Sequence, residues 1–180
     1  MNLANKLTLI RIVLVPVFLF FISMNTRSTI AISTLIFIIA AITDQLDGYV
    51  ARSRNEVTKF GKFMDPLADK LLVTSALVAL VQYDVIPTWI AMVIIGREFA
   101  VTGLRSIAAS EGVVIAASWW GKIKTVTQMT TIIAYLITLF YESAFIETIA
   151  YIALIVATIA TLVSGIDYFV KNKKALSINN

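Results

Sequence analysis

The sequence predicts an all-α, polytopic membrane protein with six transmembrane helices and both termini on the cytoplasmic side. Three observations predict it. Of 180 residues, 59% are hydrophobic and only 14% are charged, whereas water-soluble domains carry about a quarter charged residues. The apolar residues collect into six runs, and a helix needs roughly 20 of them to cross a bilayer. Lys and Arg collect in every second connection between those runs, as cytoplasmic loops do.

The first run spans about Leu7 to Met24. Lys6 and Arg11 precede or open it, as in a secretory signal, but Ser23-Met24-Asn25-Thr26 offers no small-x-small cleavage site. A retained first helix is therefore expected. The second run spans about Thr29 to Thr43 and continues helically through the region of Asp44. The third begins polar near Phe60 and turns apolar from Leu71 to Val81. The fourth covers about Pro87 to Ile107, with the proline expected in its first turn. The fifth covers about Ile123 to Phe140 and the sixth about Phe145 to Phe169. No aqueous segment is long enough to fold alone, so residues 1–180 are read as one transmembrane domain without repeats.

Orientation follows from the basic residues. Lys6 and Arg11 stand at the start, Arg52, Arg54, Lys59 and Lys62 between runs two and three, Arg105, Lys122 and Lys124 between four and five, and Lys171, Lys173 and Lys174 at the end. The alternate connections hold only Arg27, with Asp84, Glu142 and Glu147. This places both termini, and the stretch from Asp44 to Asp69, on the cytoplasmic side of a multi-pass cell-membrane protein. The basic tail also suits anionic lipid.

With no cysteine and no histidine, disulfides, zinc–thiolate sites, imidazole bases and haem ligation by His or Cys are excluded. A general base has to be a carboxylate, a Lys or a Tyr, and a metal has to be held by oxygen. Four aspartates meet that requirement. Asp44 and Asp47 are spaced i, i+3, and Asp65 and Asp69 are spaced i, i+4. On helices each pair lies on one face about a turn apart. Two such helices side by side pool four oxygen donors, the ligand set of a hard divalent cation such as Mg²⁺ or Mn²⁺. The bland alternative is a helix end neutralised by Arg52, Arg54, Lys59, Lys62 and Lys70, but carboxylates beside long apolar runs more often serve a function. Gly48 and Gly61 flank the pairs and let a ligand approach the backbone, although a glycine at a helix contact is by itself more often packing.

The pattern Asp44-x2-Asp47-Gly48-x2-Ala51-Arg52-x8-Gly61-x3-Asp65-x3-Asp69 resembles, without gap or substitution, the signature of the CDP-alcohol phosphotransferases. The resemblance implies a six-helix membrane bundle that moves a phosphatidyl group from a CDP-linked lipid to an alcohol. Three further stretches resemble the branch whose acceptor is glycerol 3-phosphate. They are Asn5-Lys-Leu-Thr8-Leu-Ile-Arg11, with Ala4 where a proline is usual, Gly96-Arg97-Glu98-Phe99 through Thr102 to Arg105, and Gly121-Lys122-Ile-Lys124-Thr125. What the resemblance implies is a transfer from CDP-diacylglycerol to glycerol 3-phosphate, giving phosphatidylglycerophosphate and CMP. It implies Asp44, Asp47, Asp65 and Asp69 as ligands of two metal ions, and Asp69 as the base, a role that spacing alone leaves open between Asp65 and Asp69. Gly48, Ala51, Arg52 and Gly61 are expected to receive the CDP-lipid, with Asn5, Thr8 and Thr58 as further contacts. A homodimer surrounded by membrane lipid is expected, and no nucleic-acid partner.

Arg97 and Glu98 lie inside an apolar run and have to be neutralised or face water. Arg97 and Arg105 are eight residues apart and share a helix face. With Lys122 and Lys124 they make a candidate cationic pocket for the acceptor phosphate, since Arg and Lys donate charge-assisted bonds to it. The alternatives are snorkelling lysines and a structural Arg97–Glu98 pair. Other acceptors in the family, namely inositol phosphate, serine or phosphatidylglycerol, are the nearest rivals. A prenyltransferase is disfavoured by the Gly48-x2-Ala51-Arg52 insert, and an aspartyl protease by the Gly–Asp context. A cation transporter is disfavoured because the carboxylates cluster in one half rather than on inverted repeats. Glu111 and Asp167 receive no role.

Overall fold

Backbone amides in an apolar setting have to bond within the chain, and helices satisfy that segment by segment. The computed structural model describes residues 3–53, 59–110, 112, 115 and 118–172, with side chains for all of these except 3–4, 44–53, 59–63, 65 and 110. It forms α1 (Leu3–Ser23), α2 (Arg27–Ser53), α3 (Lys59–Gln82), α4 (Thr88–Ser110), α5 (Trp119–Thr138) and α6 (Ala144–Lys171). Among the described residues there is no strand. Each helix coincides with one of the six apolar runs, and α2 continues past Asp44 as the sequence predicts. Pro87 stands just before α4 rather than inside its first turn. Its carbonyl accepts from the amides of Ile90 at 3.0 Å and Ala91 at 3.2 Å, so it opens the helix from the cap position.

The chain divides into two compact units, Met1–Val85 with Tyr135–Ser143, and Ile86–Ala134 with Ala144–Asn180. In the first unit α1 packs on both α2 and α3. Its buried stripe reads Asn5, Thr8, Arg11, Val15, Phe18 and Ile22, the three- and four-residue spacing of one helix face. Phe18 meets Phe37 of α2 with ring centroids 5.9 Å apart and planes tilted by 52°. Ala68, Leu72, Ala76 and Leu80 make the matching stripe of α3.

Three hydrogen bonds and two left-handed residues set the directions of these helices. A turn of three residues joins α1 to α2, with Asn25 at φ 52°, which Asn tolerates better than most side chains. Thr26 and Thr29 bond reciprocally through backbone and hydroxyl to start α2. Beyond α3, Asp84 takes φ 57°. Beside it Tyr83 donates its hydroxyl to the carbonyl of Ile22 at 2.6 Å, and burial raises the phenol above its ordinary range. The C-terminal ends of α1 and α3 are thus tied together, and α1 and α3 run in the same direction. The exposed Arg27–Glu142 pair at 3.0 Å contributes little, as solvent-exposed pairs generally do.

In the second unit α4 packs on α6 around Val101, Leu104, Ala108, Ile115 and Tyr168. The buried face of α6 is mostly small and partly polar, with Ala150, Ala157, Thr158, Ala160, Thr161 and Ser164 beside the larger Leu154 and Tyr168. Its exposed face is large and apolar, with Ile152, Ile155, Ile159, Leu162 and Ile166. Membrane helices pack in this way, small residues inward and bulky ones outward. By length and apolarity alone, Asn5–Ser23 and Ala144–Lys171 are sufficient to cross a bilayer, and Arg27–Thr43 is a shorter apolar stretch. The other helices carry their polar residues within their length: Asp65 and Asp69 in α3, Arg97 and Glu98 in α4, Lys122 and Lys124 in α5.

Replacing Phe37, fully buried against Phe18, with Ala is expected to cost about 3–5 kcal/mol. Tyr83→Phe, which removes one hydrogen bond, is expected to cost about 1 kcal/mol. Thermal unfolding of both variants in one detergent checks the order of the two effects.

Candidate active site

The first unit brings the predicted acidic segments to one end. Because α1 and α3 are parallel and α2 returns antiparallel, one end of the unit gathers the start of α1, the C-terminal half of α2 and the N-terminal half of α3. Asp44, Asp47, Gly48, Ala51 and Arg52 lie on that half of α2, and Gly61, Asp65 and Asp69 on that half of α3. The side chains of Asp44, Asp47, Ala51, Arg52 and Asp65, the surroundings of Gly48 and Gly61, and all of Thr58 lie outside the described residues. Asp69 is half-buried, directly after the fully buried Ala68. Pro66 sits between the two aspartates of α3. It has no amide hydrogen to return to the carbonyl at position 62, and its own carbonyl takes the Lys70 ammonium at 3.4 Å. Among the described residues no three acidic side chains gather. The donor chemistry and the shared end of the two helices nonetheless suit a hard divalent cation, which asks for carboxylate oxygens.

The buried face of α1 at this end is polar. Asn5 is 7% exposed, and Thr8 and Arg11 are fully buried. Asn5 and Thr8 are the predicted nucleotide contacts. Arg11, which closes the Asn5–Arg11 stretch and also serves as a topology signal, is buried on the same face.

The second unit holds the predicted phosphate-binding cations, and it treats them differently. Arg97 leaves α4 toward α6, where its guanidinium donates to the hydroxyl of Ser164 and lies over the Tyr168 ring, 5.4 Å from the centroid. The Tyr168 hydroxyl accepts the Ser118 amide at 3.2 Å. Ser118 in turn caps α5, its side-chain oxygen accepting the Gly121 amide at 3.1 Å. Gly121 passes close to this group: a methyl there would stand 3.4 Å from the Ser118 hydroxyl and 3.8 Å from the Arg97 guanidinium. Arg97, Ser164, Tyr168 and Ser118 thus form a linked chain across α4, α6 and the start of α5.

Glu98, the next residue of α4, turns instead to α5 and forms an ion pair with Lys124. The Lys124 side chain is 2% exposed and that of Glu98 20%. Lys122 is exposed and lies over the Trp119 ring at 5.8 Å, and Arg105 is exposed. Gln128, one turn beyond Lys124, is buried, and its carbonyl oxygen has no hydrogen-bond partner among the described residues. Beside Arg97 an apolar groove of about 410 Å³ runs along α4 and α6, lined by Val93, Gly96, Thr161, Gly165 and Phe169 among others.

Sequence reasoning did not single out Ser118, Gln128, Ser164 or Tyr168. The available signal was faint: Ser164 and Tyr168 are four apart on one face of an apolar helix, and each is a polar group that has to find a partner when buried.

The CDP-alcohol phosphatidyltransferase family model matches residues 1–164, and the chain belongs to that family. It is 46% identical over 191 aligned positions to the CDP-diacylglycerol–glycerol-3-phosphate 3-phosphatidyltransferase of Bacillus subtilis, covering 99% of each chain. It is 39% identical to the protein of the same name from Haemophilus influenzae, covering 99% of this chain and 97% of that one. A probable phosphatidylglycerophosphate synthase of Mycobacterium tuberculosis is 40% identical over 93% of this chain and 79% of its own.

The Glu98–Lys124 pair makes a stability prediction. Lys124→Met leaves a largely buried carboxylate unpaired and is expected to destabilise by about 3–5 kcal/mol. The Glu98→Gln/Lys124→Met double variant is expected to recover much of that loss. A double-mutant cycle read by thermal unfolding in detergent measures the coupling.

Proposed function

We propose that this protein transfers the phosphatidyl group of CDP-diacylglycerol to glycerol 3-phosphate, giving phosphatidylglycerophosphate and CMP. The observation that carries the proposal is similarity along nearly the whole chain to proteins whose names state that donor, acceptor and product class, joined to the complete aspartate motif from Asp44 to Asp69. The reaction belongs in a cell membrane, where the donor lipid resides. The small-in, bulky-out pattern of α6 and the alternation of basic connections support six crossings, cytoplasmic termini and a cytoplasmic site. One domain over 1–180 and a homodimeric assembly complete this reading.

The acceptor hydroxyl oxygen forms a bond to the phosphatidyl phosphorus, and the pyrophosphate P–O bond breaks to release CMP. Asp44, Asp47, Asp65 and Asp69 would hold Mg²⁺ or Mn²⁺, two ions being the number their four carboxylates suggest. When bound, such ions neutralise the pyrophosphate and the departing oxygen. Asp69 takes the hydroxyl proton. Gly48, Ala51, Arg52 and Gly61 receive the CDP moiety, with Asn5, Thr8 and Thr58 at its margin. Arg97, Arg105, Lys122 and Lys124 supply positive charge for the acceptor phosphate.

Purified protein in mixed micelles is expected to release CMP from CDP-diacylglycerol only when glycerol 3-phosphate and Mg²⁺ or Mn²⁺ are both present, with EDTA abolishing the release. In an acceptor panel, serine, inositol phosphate and phosphatidylglycerol are expected to give little product; a preference for any of them replaces the acceptor assignment. Asp69→Asn is expected to lower kcat by about 10²–10⁴-fold, the usual worth of a general base. A near-native rate in that variant moves the base elsewhere.

A further inference from the structure

An arginine inside an apolar helix has two courses open to it. Its flexible stem can carry the guanidinium to water, or a neighbouring helix can hold the head in place. Arg97 is held. Its stem lies against the backbone of α6, where a methyl on Gly165 would stand 3.4 Å from the Arg97 Cγ. The guanidinium donates to the fully buried hydroxyl of Ser164. Its central carbon is 5.4 Å from the centroid of the buried Tyr168 ring, within the range of a cation–π contact.

Ser164, Gly165 and Tyr168 are spaced i, i+1 and i+4, so they share one side of α6. Together they aim the head at the start of α5, where a methyl on Gly121 would stand 3.8 Å from the guanidinium. Lys122 and Lys124, the lysines predicted for the acceptor phosphate, follow on that helix. The cradle leaves most of the arginine's capacity unused. A guanidinium has five N–H donors. Ser164 takes a bond from one terminal nitrogen, the Tyr168 ring engages the cation without taking a donor, and the buried Nε has no partner among the described residues. The apolar groove beside Arg97 along α4 and α6 offers the stem another path, so a guanidinium released from the cradle has more than one place to go. Fixing a rotamer-rich side chain before its ligand arrives removes that ordering cost from binding.

We propose that Ser164 and Tyr168 are positioning residues for the acceptor: they hold the Arg97 guanidinium at the start of α5 with donors left for the phosphate of glycerol 3-phosphate. The claim rests on the acceptor reading made above, in which Arg97 meets that phosphate. Neither α6 residue has to touch the acceptor; both act through Arg97.

The test is steady-state kinetics of full-length protein in mixed micelles, varying glycerol 3-phosphate and CDP-diacylglycerol separately. Tyr168→Leu removes the ring and is expected to raise KM for glycerol 3-phosphate by about 5-fold, the worth of one cation–π contact. Ser164→Ala removes the hydroxyl and is expected to raise it by a similar factor. KM for the CDP-lipid should stay within about 2-fold of native in both. Tyr168→Phe keeps the ring and loses only the hydroxyl that accepts the Ser118 amide, so its acceptor KM should also stay within about 2-fold of native. Made in an Arg97→Ala background, Tyr168→Leu and Ser164→Ala should change the acceptor KM no further, because the group they position is gone. Ser164→Ala carries the test if Tyr168→Leu fails to fold.

A native acceptor KM in Ser164→Ala, or in folded Tyr168→Leu, overturns the proposal. So does a rise of the same size in the Arg97→Ala background, which would make the α6 contacts purely structural. Equal rises in both KM values also count against it. Failure of the underlying acceptor reading shows without any change in α6: the unmodified protein would release no CMP in response to glycerol 3-phosphate, or Arg97→Ala alone would leave the acceptor KM native.

Discussion

A charge inside an apolar helix bundle has to be met by a partner on a neighbouring helix, and this constraint organises the second unit. Glu98 and Lys124 join α4 to α5. Arg97, Ser164 and Tyr168 join α4 to α6, and Ser118 links Tyr168 to the start of α5. Apolar contacts tolerate a helix sliding or turning by a fraction of a residue, but hydrogen bonds and ion pairs lose most of their strength under such a shift. The polar contacts therefore set the register of α4, α5 and α6, while the small residues on α6 let the backbones approach.

The first unit uses a different device. Its α1 carries a single continuous stripe that is aromatic and aliphatic near Phe18 and Ile22 and becomes polar at Arg11, Thr8 and Asn5. The apolar part and the Tyr83–Ile22 bond fix the helix directions at one end. The other end is left for the aspartate-bearing halves of α2 and α3. The predicted site residues are shared between the units. The motif aspartates belong to the first, and Arg97, Arg105, Lys122 and Lys124 to the second.

Much of this was legible from the residues. Six apolar runs gave six helices, and the spacing of Asp44, Asp47, Asp65 and Asp69 placed the pairs on α2 and α3. What one sequence could not supply was the choice of partners. Arg97 and Glu98 are adjacent and opposite in charge, which suggests that they pair with each other. Adjacent positions point about 100° apart around a helix, so each meets a different neighbour. Lys122 and Lys124 look alike in sequence, yet two positions apart on α5 one is exposed over Trp119 and the other is buried against Glu98. Ser164 and Tyr168 passed as ordinary residues of an apolar helix because their importance lies in what α4 presents to them. Pro87 shows the same limit locally: its place near the helix start was readable, but not whether it lay before or within the first turn.

Every threonine of α5 turns its hydroxyl back onto its own helix. Thr125 donates to the Gly121 carbonyl, Thr127 to Ile123, Thr130 to Val126, Thr131 to Thr127 and Thr138 to Tyr135. A hydroxyl satisfied in this way presents mainly its methyl group to the surroundings. Hydropathy scales, which score threonine by type, therefore overstate how wet the outside of α5 is. The same bonds give those carbonyls a second donor and tend to bend a helix. A segment that scores as marginal for insertion thus carries its own internal solvent.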